Sequence, residues 1–247
     1  VFAFDYLILT KDGQLGRRES EAPEGSVIAK IIVAKDSKSK AIFAHAVRRK
    51  GVEQDNYAVE CLTQDLTSLG YSHVQLKSDN ERAIVKLLKE ALREHRATCT
   101  EDHDDRTTLQ EEHPSPYDHR GNGLAEVVAK TLSNKLLTLK ICLEQSLGRR
   151  IPADHTLLQW LTVLTDWHLT TCTVCPDGRT PYHKIRGRQY TTRNVPFAES
   201  VLYKLRPEGA QARENKLTSK WKYGYVLGYH RQSPDYHIMD EEDKRMC

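Results

Sequence analysis

The sequence predicts an α/β fold that carries a small β-rich module at its C-terminal end, and three observations predict it. Three apolar, β-prone runs come first, strand and helix patterns then alternate, and the stretch beyond residue 195 mixes strand-like aromatics with basic residues. At 247 residues the chain is long enough for a large domain with an appendage, and it needs neither disulfides nor metal to build a core. The expected division is residues 1–190 for the core with its trailing helices and 191–247 for the module.

"VFAFDYLILT" at the start is a strand by its aromatics and β-propensity, and "KDG" after it is a turn. "SVIAKIIVA" and "KAIFAHAV" are two further strands joined through "KDSKS", so the first three strands read as an antiparallel meander. Residues 53–69 follow as a helix with Tyr57, Val59, Leu62, Leu66 and Leu69 on its apolar face. "HVQLK" is a short strand, and "NERAIVKLLKEALREH" a strong helix whose "SDNE" start predicts a capping box between Ser78 and Glu81. Residues 97–123 have no helical period and are acidic in their middle. Part of them, near "RTTLQ", is a candidate strand, and a connection of this length is more often functional or disordered than inert.

"HRGNGLAEVVAKTLSNKL" then reads as a turn running into an amphipathic helix, with Leu124, Val127, Val128, Leu132 and Leu136 as its apolar stripe. Residues 154–169 form the next helix, with Leu157, Trp160, Leu161, Leu164 and Trp167 as core candidates. "TPYHKIRGR" is a short helix with Thr180 as N-cap and Pro181 at its first position. "VPFAESVLYKLRP" and "WKYGYVLGYH" are strands of the C-terminal module. In the second, Trp221, Tyr223, Tyr225 and Leu227 share one face, which is expected to form the module's core and to leave the lysines for phosphate contacts.

Composition narrows the function classes. No apolar run approaches membrane-spanning length and no charged-then-apolar leader is present, so neither a span nor a secretion signal is expected, and the chain reads as soluble and intracellular. It starts at Val1 inside an apolar run and ends at Cys247, which reads as a piece of a longer translation product. Six cysteines lack a disulfide rhythm, and this fits a reducing compartment. Cys172 and Cys175 make a C-x-x-C near His168 and His183, but no second pair at ligand spacing completes a zinc site, and zinc is not expected. Residues 1–119 hold 17 Lys and Arg against 21 Asp and Glu, whereas residues 120–247 hold 20 against 13. Between Arg179 and Arg231 twelve basic residues face three acidic ones, a local field suited to a polyanion.

Three carboxylates stand out. Asp5 interrupts an apolar strand on the face of Ala3, Leu7 and Leu9, where an anion is costly unless it is paired, hydrogen-bonded or bound to a metal. Asp79 stands where a strand ends and a helix begins, which suits both a first-turn acid and the ligand crevice at the carboxyl end of a strand. Glu126 sits in the first turn of its helix, where the helix dipole alone favours an acid. Together the three can converge on one divalent-cation site. Hard oxygen ligands suit Mg²⁺ or Mn²⁺, and two such ions about 4 Å apart can serve a phosphoryl transfer.

The order of elements, the Asp in "FAFDYL", the hairpin "VAKDSKSKAIFAHAVRRKG", "LKSDNE" after a strand, "SPYDHRGNGLAE" and "DGRTPYHKIRGR" resemble the integrase core of long-terminal-repeat retrotransposons, copia-like elements among them, and of retroviruses. The resemblance implies an RNase H-like mixed sheet, three antiparallel strands followed by parallel ones, flanked by helices. It implies that Asp5, Asp79 and Glu126 hold Mg²⁺ or Mn²⁺ as a catalytic triad. It also implies that the chain trims the 3′ ends of element DNA and joins them to target DNA, as a homo-oligomer. No small-molecule substrate is expected. Arg120, Asn122 and Lys130 fall where the family carries its mobile loop and a basic residue directed at DNA. Lys130 equally suits an i,i+4 pair with Glu126. Lys220 and Lys222 fall in the β module that resembles the family's DNA-binding tail. Forty-six residues separate Asp79 from Glu126, more than in the retroviral pattern, and Asp102, Asp104 and Asp105 within that interval are alternative ligands. Other readings of the residues are a different RNase H-like nuclease or transposase, or a domesticated copy that only binds DNA or a partner. The implied location is the nucleus or a retroelement particle.

Overall fold

The computed structural model describes residues 1–10, 15–16, 27–71, 73–78, 81–98, 110–112, 123–204, 221–231, 233, 235–242 and 246, with the side chains of 15–16, 28, 98, 110–112 and 124–126 excepted. It has two compact units, Val1–Tyr190 and Thr191–Cys247. Among the described residues no helix is long and apolar enough to cross a membrane.

The first unit is built on a mixed sheet. Strands β1 (Phe2–Thr10), β2 (Leu15–Gly16), β3 (Val27–Asp36), β4 (Ile42–Val47), β5 (Gln75–Ser78) and β6 (Gln110–Glu112) assemble in the order β4-β3-β1-β5-β6, with β2 pairing β1. β1, β3 and β4 are antiparallel, and β5 and β6 run parallel to β1. This is the three-antiparallel-then-parallel sheet expected of an RNase H-like fold.

β1 is apolar on both faces because both faces are covered. Phe2, Phe4 and Tyr6 lie with Ile32, Ala34, Phe43 and Val47 against helices α1 (Tyr57–Leu69) and α2 (Arg82–Thr98). The rings of Phe2 and Phe43 meet edge to face at 5.5 Å. The opposite face carries helices α3 (Gly123–Leu147) and α4 (Leu157–Cys172), which pack on β1, β3 and β4. Val128, Ala129, Leu132 and Leu136 are the buried residues of the first half of α3.

β4 is an edge strand, and α4 closes its open side. Asp166 Oδ2 accepts the Ala44 N–H at 2.7 Å, and Thr170 Oγ1 accepts the Ile42 N–H at 3.3 Å while donating to the Ile42 carbonyl at 3.0 Å. Buried side chains thus replace the missing neighbouring strand and remove a template for aberrant pairing. The β3–β4 hairpin is tied by buried Asp36, whose carboxylate accepts from Lys38 N at 3.2 Å, Ser39 N and Oγ at 2.6 Å each, and Tyr71 Oη at 2.7 Å.

Several sequence expectations shift here. The first helix begins at Tyr57 rather than residue 53, because Glu53 accepts the Arg49 N–H at 2.7 Å to close a turn and Asn56 takes a left-handed φ of 54°. The capping box expected at Ser78 does not form. Ser78 ends β5 with its hydroxyl buried and without a hydrogen-bond partner among the described residues, while Glu81 binds Lys50 Nζ at 2.9 and 3.0 Å. α3 runs eleven residues beyond Leu136, to a left-handed Gly148 with φ 63°. Past its end, Glu144 Oε1 accepts the Ile151 N–H at 2.7 Å.

Helix α5 (Pro181–Arg186) forms as the "TPYHKIRGR" pattern predicts. Thr180 Oγ1 accepts the His183 N–H at 3.2 Å, Pro181 occupies the first turn, and Gly187 closes the helix with φ 68°. Tyr182 and Tyr190 hold this segment on α4, with ring centroids 6.2 and 5.4 Å from Trp167 and 5.4 Å from each other.

The second unit is an antiparallel sheet β7-β8-β9 formed by Ser200–Lys204, Trp221–Tyr229 and Tyr236–Asp240. β9 is not anticipated in the sequence, where its polar ends hide it. Its inner face packs closely, and a Cβ added at Gly224 would lie 2.6 Å from Ile238 Cγ2 and 2.7 Å from the Met239 carbonyl. The aromatic face expected to be core is instead open at one end: Trp221 is 56% and Tyr223 58% exposed, whereas Leu227 is buried.

Candidate active site

Strand register is where the candidate site begins. Phe4 pairs with Ser78 across the parallel β1–β5 ladder, and the residues that follow these two in the sequence are Asp5 and Asp79. Asp5 pairs with Val33 on its other side, and lies on the sheet face that bears α3 and α4. It is half-buried in a strand otherwise buried throughout, and its Oδ1 accepts the N–H of Tyr6 at 2.7 Å. That bond offsets part of the cost of holding an anion among apolar neighbours and fixes the carboxylate rotamer.

α3 packs against β1 and β3, and Glu126 lies in its first turn. The helix therefore starts on the same side of the sheet as Asp5. The Glu126 side chain, and all of Asp79, Arg120, Asn122 and Lys220, lie outside the described residues, as do Asp102, Asp104 and Asp105. Lys130 is exposed one turn after Glu126. Lys222 Nζ lies 3.4 Å from buried Asp240 Oδ2 and 3.9 Å from Glu242 Oε2, so its charge is engaged within its own sheet.

The donor chemistry fits a hard divalent cation where it is visible. Asp5 offers carboxylate oxygen on the α3 and α4 face, whereas Ser78, paired with Phe4, turns its buried hydroxyl to the opposite face and is not part of that donor set. Among the described residues no group of three His, Cys, Asp or Glu side chains could by itself hold a metal ion. Cys172 is exposed at the end of α4, and Cys175 is half-buried in the tight turn that follows, with its N–H bonded to the Arg179 carbonyl at 2.9 Å.

On the other face of β1, Tyr6 and its neighbours form a polar support that the sequence does not announce. Tyr6 Oη accepts the Gly51 N–H at 3.0 Å, and Lys50 Nζ lies 5.2 Å from the centre of its ring. Burial pushes the Tyr6 phenol up to about 12, so it stays protonated at any physiological pH. Deeper in the unit, His45 Nε2 meets Asp65 Oδ2 at 2.7 Å. Burial pulls the imidazole down, but the Asp65 carboxylate and the neighbouring Cys61 together more than offset this and raise it to about 10. Neither residue carries a sequence signal beyond its type.

No protein-family model and no curated protein matches the sequence. Among solved structures the chain is similar to the catalytic core domain of BIV integrase, with a TM-score of 0.44 and 14% identity over 74% of this chain and 92% of that one. It is also similar to the HTLV-2 integrase catalytic core domain in complex with magnesium, with a TM-score of 0.47 and 13% identity over 75% and 95% of the two chains. A simian T-cell lymphotropic virus intasome in complex with PP2A regulatory subunit B56 gamma aligns over 99% of this chain and 77% of that one, with a TM-score of 0.41 and 13% identity. These are likenesses of fold, and the functional reading rests on strand order and register.

Proposed function

We propose that the chain is the catalytic core and following β module of a retroelement integrase, a polynucleotidyl transferase that processes the 3′ ends of element DNA and joins them to target DNA. One observation carries the reading. The β1–β5 register aligns Phe4 with Ser78, and each is followed in the sequence by an aspartate, while the helix that opens with Glu126 packs on β1 on the face of Asp5.

Asp5, Asp79 and Glu126 would hold one or two Mg²⁺ or Mn²⁺ ions, which would supply positive charge to the phosphate and to the attacking and leaving oxygens. The chain's own part is positional. The Tyr6 N–H fixes the Asp5 carboxylate, the parallel ladder fixes the spacing of the two strands, and α3, seated on β1, would bring in the third acid. In the first step a water oxygen bonds to phosphorus and a 3′ oxygen leaves. In the second, the freed 3′ hydroxyl bonds to a target phosphorus and a target 3′ oxygen leaves, so one phosphodiester is exchanged for another without a high-energy cofactor. Lys130, exposed one turn beyond Glu126, would meet DNA phosphate. A homo-oligomer acting in the nucleus or in an element particle fits the same reading.

The test is a strand-transfer assay with duplex ends and a plasmid target in Mg²⁺ or Mn²⁺, comparing wild type with Glu126→Gln. The wild type should join ends to target, and the variant should lose at least about a thousandfold in rate while retaining DNA binding, as expected when a ligand that stabilises transition-state charge is removed. A wild type that binds DNA yet neither trims nor joins it would sink the proposal.

A further inference from the structure

The segment that follows β4 is clamped between β1 and the start of α2 by side chains that the catalytic reading does not use. Glu53 Oε1 accepts the Arg49 N–H at 2.7 Å and closes this segment into a turn. Gly51, buried with φ 88°, donates its N–H to Tyr6 Oη at 3.0 Å, and a Cβ at its position would lie 3.5 Å from both the Cβ and the carbonyl oxygen of Ala83. Its neighbour Lys50 spans the same gap. The Lys50 ammonium lies 5.2 Å from the centre of the Tyr6 ring and bonds both Glu81 carboxylate oxygens, at 2.9 and 3.0 Å. The Glu81 carbonyl accepts the Val85 N–H at 3.1 Å, so Lys50 holds the residue from which α2 starts. Both elements joined in this way lead to a proposed metal ligand. Tyr6 follows Asp5 in β1, and its N–H holds the Asp5 carboxylate at 2.7 Å. Glu81 stands two residues after Asp79 in the sequence, and Ser78, just before Asp79, is fixed by its pairing with Phe4.

Resting on the reading of Asp5, Asp79 and Glu126 as metal ligands, we propose that Lys50 is a positioning residue: with Tyr6 and Glu81 it sets the separation of Asp5 and Asp79, and through it the affinity of the site for Mg²⁺ or Mn²⁺. Breaking the Lys50–Glu81 pair releases one of the two anchors, three residues apart in the sequence, that bracket Asp79. A metal site tolerates about 0.5 Å of error in its ligands, so a small relaxation at that point weakens binding. Two simpler accounts predict something else. On charge alone, an ammonium near a cation site repels the cation, so removing Lys50 would tighten binding. On folding alone, the effect would be small and confined to stability: the Lys50 and Glu81 side chains are 16% and 42% exposed, and ion pairs this open to solvent contribute little. A loss of metal affinity at unchanged stability is therefore specific to positioning.

The experiment titrates the whole chain with Mn²⁺, read by the paramagnetic signal of the free ion, and follows the Mg²⁺ dependence of strand transfer in parallel. Asp5→Asn sets the baseline by abolishing the wild-type binding. Lys50→Met and Glu81→Gln should each weaken Mn²⁺ binding by about 3- to 10-fold, less than the roughly 10- to 100-fold typical when a group bonded directly to a ligand is lost. Their urea midpoints should stay at the wild-type value, and Lys50→Arg should bind nearly as wild type does. The reversed pair, Lys50→Glu with Glu81→Lys, should recover affinity that Glu81→Lys alone loses. Strand transfer by Lys50→Met should fall at limiting Mg²⁺ and recover at saturating Mg²⁺. Unchanged or tighter Mn²⁺ binding by Lys50→Met overturns the proposal, as does a loss that follows a lowered urea midpoint and is not recovered by the reversed pair. Mn²⁺ binding lost in Asp5→Asn but kept in Lys50→Met sinks this inference alone. A wild type that binds no Mn²⁺, or an Asp5→Asn that binds as wild type does, sinks the metal-site reading and this inference with it.

Discussion

Raising the pH from 6 to 10.5 should destabilise the first unit through one buried pair. His45 on β4 and Asp65 on α1 are 7% and 0% exposed and meet at 2.7 Å, joining the sheet to the helix that covers it. Asp65, with Cys61, raises the folded imidazole to about 10 against an ordinary value of 6.5. A group raised in the folded state contributes stability that is complete below its unfolded pKa and is lost as pH climbs through the folded one. The window is therefore pH 6.5 to about 10. At 1.36 kcal/mol per unit the gap caps the contribution at about 5 kcal/mol, and removing one member of a buried pair costs about 3–5 kcal/mol, so the two scales agree. Urea midpoints measured across this range should fall for wild type. Subtracting the profile of Asp65→Asn cancels the background from surface groups and from the cysteines other than Cys61, which touches His45. If wild type and Asp65→Asn show parallel profiles between pH 6.5 and 10, His45 is neutral in the fold and the assignment is wrong.

Two further perturbations probe the packing directly. Gly224→Ala should cost the second unit about 1–3 kcal/mol, because one of the two closest atoms to the new methyl group, at 2.7 Å, is a backbone carbonyl that cannot swing aside; a fall in the melting of that unit alone would be the signature. Thr170→Val keeps the shape but strands the N–H and C=O of Ile42 on the sheet edge, which should cost about 1–3 kcal/mol in chemical denaturation and raise aggregation on concentration. Unchanged aggregation at equal stability would mean that the edge is guarded by something other than Thr170.

The parts of the fold legible in the sequence are those decided by local pattern. β1 reads as a strand because its aromatic and branched residues leave no other use, and α5 because Thr180, Pro181 and Gly187 specify both its ends. Errors arise where a distant group competes with a local rule. Glu53 and Glu81 both stand at expected helix starts, yet the Glu53 side chain binds the Arg49 N–H four residues before α1 begins, and the Glu81 side chain goes to Lys50 instead of closing a capping box at the start of α2. The exposed end of β8 is the same kind of miss: alternation shows that Trp221 and Tyr223 share a face, but not that both rings stay more than half exposed there. Of the site, Asp5 is the residue that sequence identifies on physical grounds, since an anion within a buried strand demands a reason. Asp79 and Glu126 each have an adequate local explanation, and only the order of elements joins them to Asp5.

The long interval between Asp79 and Glu126 bears on whether that joining survives. Its fixed points are α2, which ends at Thr98, then β6, whose Gln110 pairs with Gln75, and α3, which starts at Gly123 and packs on β1. The entropy of closing a loop grows only with the logarithm of its length, so doubling such a connection costs about 0.6 kcal/mol, far less than the apolar contacts that seat α3. Position along the chain is therefore a weak guide to whether Glu126 can reach Asp5, and packing is a strong one. Leu132 and Leu136, 0% and 5% exposed on the sheet-facing side of α3, set the helix's rotation and with it the direction of its first turn. The spacing that departs most from the retroviral pattern is thus the feature with least power over the geometry of the site.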